Sequence, residues 1–177
     1  MDRTMTSPLT FATLSQLDRD GFVAAVGAVF EHSPWVMARV WEKRPFADRA
    51  MLRAAMSEVL TGAARAEVLA LILAHPELAS KAALRGELTA DSAREQAGAG
   101  LDACTPAELA EIRQLNDAYR DKFGWPFIVA VRGLTRQDII AAMRRRLQRD
   151  ADEEFAEARA QVLRIADLRL DPLLSAT

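Results

Sequence analysis

A chain of 177 residues, half of them hydrophobic, is long enough to bury a substantial core as one domain without covalent staples. Its 23 Lys and Arg nearly cancel its 25 Asp and Glu, leaving a net charge of -2, so there is no long-range field to gather a polyanion such as nucleic acid. The single cysteine, Cys104, excludes an intramolecular disulfide and any cysteine-built zinc site within one chain.

The first residues, "MDRTMTSPLTFATL", contain no apolar segment of signal-peptide length, and residues 1–9 read as a flexible tail. Elsewhere charge interrupts every apolar run before the roughly 18 residues that a membrane span requires. The final "LLSAT" lacks a peroxisomal Ser-Lys-Leu address. The expectation is a soluble, cytoplasmic protein.

Apolar residues then recur at helical spacing almost throughout. Phe22, Val23, Val26, Val29 and Phe30 form one stripe; Met51, Leu52, Ala55, Met56, Val59 and Leu60 form another. Between them, Pro34 and Pro45 bracket a short helical connector presenting Trp35, Val36, Val40 and Trp41 to the core, with His32 capping or packing beneath it. A helix over Ala66–Ala74 stops at His75, because Pro76 has no amide hydrogen and disfavours helical angles in the residue before it.

Gly98 and Gly100 mark a helix terminus; they follow no strand, which argues against a Rossmann or Walker phosphate loop. Thr105, Pro106 and Glu108 spell a capping box that opens a helix burying Leu109, Ile112, Leu115, Tyr119 and Phe123 and ending at Gly124. "WPFIVAV", Trp125–Val131, is aromatic and β-branched, but no second such run exists to pair with it, so it reads as a buried extended connector. Thr135 with Asp138 opens the next helix, with Ile139, Ile140, Met143 and Leu147 inward and Arg144, Arg145, Arg146 and Arg149 on a solvated face. The last helix, from about Asp152, carries Phe155, Ala158, Val162, Ile165 and Arg169 on one stripe. The fold class is all-α, a single-domain bundle of about seven to nine helices.

His75 can exchange a proton near neutrality, and a helix C-terminus favours its charged form while apolar burial opposes it; as a bare residue it reads first as a capping or core histidine. Ser92, Glu95 and Ala99 share a helical face, a pocket-like set, although Asp91 or Ser92 as N-cap with Glu95 as capping partner explains the same letters. Arg169 either meets an anionic or carbonyl-rich partner, or snorkels past the core, or binds the carbonyls ending its own helix. No His-x-x-x-His or His-Glu-x-x-His spacing suggests a metal site, and no Gly-x-Ser-x-Gly elbow suggests a serine hydrolase. On these patterns alone a non-catalytic helical interaction module competes with an enzyme.

Taken in order, "FEHSPWV" with "RPF", "HPELA", "SAREQAGAGL", "LNDAYRDKFGWPFIVAVRG" and "VLRIADLRL" closely resemble the 2-oxo-4-hydroxy-4-carboxy-5-ureidoimidazoline (OHCU) decarboxylases of urate degradation. The resemblance runs from about Phe11 to Leu174. It departs at Trp125, where phenylalanine is the more frequent family residue, a larger ring expected to bear on pocket volume rather than chemistry. It implies an all-helical, usually homodimeric enzyme that needs no cofactor or metal and converts OHCU into (S)-allantoin and carbon dioxide. Its functional partners are a 5-hydroxyisourate hydrolase and a urate-oxidising enzyme. By motif, His75 and Glu95 fall on the catalytic positions; Pro76, Ser92, Gln96, Phe127, Ile128 and Arg169 fall on substrate-binding ones. The same fold acting on another ureido or hydantoin compound is the alternative within the family.

Overall fold

A computed structural model of the chain describes residues 8–175. Ten α-helices and two short 3-10 turns occupy most of these residues, with no named strand among them. The sequence anticipates seven to nine helices; α1 (Phe11–Gln16) and the one-turn α6 (Lys81–Leu84) are too short for apolar periodicity to register. No helix among the described residues is long and apolar enough to cross a membrane.

The chain forms two compact units. One comprises the chain through Ala64 and again from Leu163; the other is the continuous stretch Arg65–Val162. In the first, α2 (Arg19–Val26), α3 (Trp35–Trp41) and α4 (Arg49–Gly62) follow α1, and side-chain caps set where three of these four begin. Thr10, Asp18 and Asp48 each accept a backbone N–H of the helix they precede, from Thr13, Gly21 and Met51.

Leu52, Ala55, Met56, Val59 and Leu60 of α4 are buried as the stripe requires. Met51 is 48% exposed, because as the neighbour of Leu52 it lies one helical step, about 100°, off that face. Phe22 and Phe46 pack with centroids 6.0 Å apart, and burying large side chains of this kind contributes about 1.5–3 kcal/mol each. The connector is the helix expected, with Val36, Met37, Ala38 and Val40 buried; Trp35 and Trp41 are half-buried, and the Trp41 indole N–H donates to the Leu17 carbonyl at 2.9 Å. His32 does not pack beneath it. It is exposed, with φ 47°, as a turn residue.

Of the anticipated tail, residues 1–7 lie outside the described residues, whereas Leu9 makes a parallel bridge with Leu174: its N–H donates to Leu173 at 3.0 Å and its carbonyl accepts from Ser175 at 2.9 Å. Arg49 holds the end of the last helix, donating from Nε to Asp167 (2.9 Å) and from Nη1 to Asp171 (2.6 Å).

The second unit contains α5 (Arg65–Leu73), α6, α7 (Ala90–Gly98), α8 (Pro106–Phe123), α9 (Arg136–Arg146) and the first part of α10 (Ala151–Arg169). Both predicted capping boxes are formed, Thr105 with Glu108 on α8 and Thr135 with Asp138 on α9. Gly124 closes α8 at φ 82°, a left-handed angle that glycine adopts without strain. α8 buries Ile112, Tyr119 and Phe123 as read, adds Asn116, and leaves Leu109 and Leu115 half-buried.

Trp125–Val131 is extended and largely buried, and side chains take the place of a partner strand: the Ile128 carbonyl accepts from Arg146, and the Ala130 N–H donates to Gln161. Arg146 is therefore a correction to the solvated arginine face. It is 3% exposed and paired with Glu154 of α10, while Arg144 and Arg145 are exposed. Trp125 packs with centroids 5.6 Å from both Phe123 and Phe155.

Candidate active site

His75 ends α5 for the reason the sequence gives. Val68, Leu71 and Ile72 bury one side of the helix, Pro76 forbids its continuation, and the His75 N–H closes a last tight turn onto Ile72 at 3.1 Å. The imidazole is 7% exposed, with Nδ1 3.0 Å from the Leu71 carbonyl. A carbonyl only accepts, so Nδ1 carries a proton, and whenever the ring is neutral its basic nitrogen is Nε2. One backbone bond thus fixes both tautomer and ring orientation, a requirement for directed proton transfer.

The loop after His75 is held from two helices. Gln96 of α7 accepts the Ala79 N–H with Oε1 at 3.0 Å and donates from Nε2 to the Glu77 carbonyl at 3.4 Å. Asn116 of α8 donates to the Leu78 carbonyl at 2.9 Å, and Arg120 forms an ion pair with Glu77. Ala79 sits at φ 50°, a left-handed angle costing an L-residue about 1–2 kcal/mol, which these bonds offset.

α7 begins at a cap different from either alternative read in the sequence. Thr89 is the N-cap, its hydroxyl accepting the Ser92 N–H at 3.3 Å, and Asp91 pairs with Arg94 in the first turn. Glu95 therefore lies beyond capping reach. Ser92 and Gln96 are buried at 3% and 7% exposure, Glu95 is half-buried, and the three lie on one face by i, i+3 and i+4 spacing.

Phe127 and Ile128 are buried on the extended segment. The Phe127 ring meets Tyr119 edge-on, with centroids 5.3 Å apart, and Tyr119 lies one turn beyond Asn116 on α8. The "HPELA", "SAREQ" and "FGWPFI" blocks thus share one neighbourhood: α7 and α8 both grip the His75 loop, and α8 also packs the Phe127 segment.

Arg169 belongs to the other unit, where it is 6% exposed, its Nη1 2.7 Å from Glu31 Oε2 and 3.5 Å from the Val29 carbonyl. Of the readings open in the sequence, this is the anionic, carbonyl-rich partner. Glu31, 3% exposed, was not singled out from sequence; the available signal was a carboxylate directly following the buried Val29 and Phe30.

A family profile described as OHCU decarboxylase matches residues 15–171. The chain belongs to the OHCU decarboxylase family. It is 43% identical over 165 residues to the 2-oxo-4-hydroxy-4-carboxy-5-ureidoimidazoline decarboxylase of Halalkalicoccus jeotgali, covering 93% of this chain and 92% of that protein. It is 41% identical over 162 residues to the enzyme of the same name from Haloferax volcanii, covering 92% and 94% respectively. Among solved structures it is similar to an (S)-allantoin synthase, with a TM-score of 0.75 at 29% identity, over 94% of this chain and 54% of that one. The family match runs through both units and includes His75, Glu95 and Arg169. Glu31 and Glu154, which sequence patterns did not mark, and Arg146, which they placed on a solvated face, are buried charged residues within the matched region.

Proposed function

We propose that the protein decarboxylates OHCU to (S)-allantoin and carbon dioxide in urate degradation. The observation carrying this is 43% identity spread across more than nine-tenths of both this chain and a named OHCU decarboxylase. The local geometry supports it: a buried, orientation-fixed histidine whose loop is bonded to the helix bearing Ser92 and Glu95.

The chemistry needs positioning and protons. The bond from C4 to the carboxylate breaks, carbon dioxide leaves, and the electron pair moves into a C4=C5 double bond while the ring nitrogen of the former C=N takes a proton. Loss of the 4-hydroxyl proton and protonation at C5 then give the hydantoin ring of allantoin, one proton being consumed overall. The adjacent C=N serves as electron sink, so the reaction calls for no cofactor.

His75, through Nε2, handles the 4-hydroxyl proton, and Glu95 orients or charges the imidazole or bonds the ring and ureido nitrogens. Arg169 holds the carboxylate or a ring carbonyl through its planar fork. Ser92 adds a hydrogen bond, and the backbone at Pro76, Phe127 and Ile128 binds the amide-like edge. Gln96, counted among the substrate-contacting positions, has its amide engaged with Glu77 and Ala79, so its contribution runs through the loop that carries Pro76. The working form is a cytoplasmic homodimer, supplied with labile substrate by a 5-hydroxyisourate hydrolase downstream of a urate-oxidising enzyme.

The test is His75→Asn in purified protein, with OHCU generated in situ from urate and circular dichroism followed as chiral allantoin accumulates. Turnover falls about 10²–10⁴-fold if the imidazole is the acid-base group. Undiminished enantioselective turnover would remove His75 from the mechanism.

A further inference from the structure

The Phe127–Ile128 backbone is extended yet has no partner strand among the described residues, so what fixes it must be side chains. Arg146 supplies most of the fixing. Its Nη1–H donates to the Ile128 carbonyl at 2.7 Å, its Nε–H donates to Glu154 Oε1 at 2.7 Å, and its guanidinium carbon lies 4.4 Å above the centre of the Phe127 ring.

Glu154 has no exposed surface and also accepts the Tyr119 hydroxyl at 2.5 Å, while Tyr119 meets Phe127 edge-on. Burial, and then the bond to Glu154, push the Tyr119 hydroxyl above its ordinary range, so it remains a donor at neutral pH. The carbonyl of one residue and the ring of the residue before it are thereby gripped together. The peptide between them, Phe127 C=O and Ile128 N–H, has little freedom to turn.

A buried ion pair is a poor way to gain stability, since apolar side chains of similar volume do as well or better. A planar guanidinium directing one N–H at a carboxylate and another at a carbonyl is instead a good way to set an angle. We propose that Arg146, held by Glu154 and Tyr119, is a positioning residue that presets the Phe127–Ile128 backbone for the substrate. This rests on the functional reading above, in which that backbone binds the substrate's amide-like edge.

Two variants separate positioning from mere support. The triple variant Tyr119→Phe/Arg146→Met/Glu154→Leu removes the whole network and leaves no buried charge; only the Ile128 carbonyl loses its donor, so the thermal midpoint falls by no more than about 10 °C. Arg146→Lys keeps the charge facing Glu154 but loses the fork. In both, amide hydrogen exchange at residues 127–130 accelerates and kcat/KM for OHCU falls about 10- to 100-fold, the scale of a misplacement near 1 Å. Wild-type kcat/KM together with wild-type exchange in the Arg146→Lys protein overturns the proposal, even if the triple variant fails to fold. A wild-type protein that never turns over OHCU overturns the functional reading instead; faster exchange at 127–130 in the variants then still upholds Arg146 as the anchor of that backbone.

Discussion

Arg169 and Glu31 are almost wholly excluded from water and 2.7 Å apart, so removing either deprives the other's charge of this partner in a low-dielectric interior. Arg169→Ala is expected to cost about 3–5 kcal/mol in urea unfolding, and Arg169→Ala/Glu31→Ala to recover most of it. Stability and activity then part: the double variant folds but binds substrate poorly, which steady-state KM measures. A fully active double variant would leave Arg169 a purely structural group. The sequence could show that Arg169 stands in line with an apolar stripe, since that is a property of one helix. It could not show Glu31 as its partner, because the two are 138 residues apart and no local period joins them. Arg146 was misread as solvated for the same reason: what makes it an interior residue is the Ile128 carbonyl and a carboxylate on the next helix.

Among the elements, α7 shows how a cap places functional side chains. With Thr89 accepting the Ser92 N–H, helical geometry puts Ser92, Glu95 and Gln96 on one face. Thr89→Ala is expected to lower stability by about 1 kcal/mol and to fray the turn bearing Ser92, visible as faster amide exchange there and a raised KM. The capping boxes make a pH prediction. Hydrogen bonds from the Thr105 backbone hold the Glu108 carboxyl below its ordinary 4.5, and those from Thr135 hold Asp138 below its ordinary 3.8. Both folded values are depressed, so the stability they lend is complete above the unfolded values and drains away as pH falls below about 4.5 toward the lowered ones. Urea midpoints between pH 7 and pH 3 check this; in Glu108→Gln/Asp138→Asn, whose side-chain amides do not titrate in this range, the acid-side slope flattens. α8 was legible because its cap, stripe and stop are all local to the helix, and the start and inner face of α9 because its cap and stripe are. The cap of α7 was misplaced because Thr89, Asp91 and Ser92 are all competent N-caps, and local letters do not choose among them.

For the molecule as a whole, the homodimer proposed above predicts a light-scattering mass of twice the 19.5 kDa chain at micromolar concentration; a mass of one chain would remove it. The order of the two units along the chain bears on how folding unfolds in time. Arg65–Val162 is continuous, so it can complete its own core without waiting for residues from elsewhere in the chain. The other unit is interrupted by that entire stretch, and the residues through Ala64 must wait for Leu163 onward before the bridge at Leu9 and the Arg49 grip on Asp167 can form. Until then Glu31 lacks Arg169 and its half of the molecule exposes apolar surface. A folding chain is thus most exposed to chaperones and proteases through its interrupted unit, not through its continuous one.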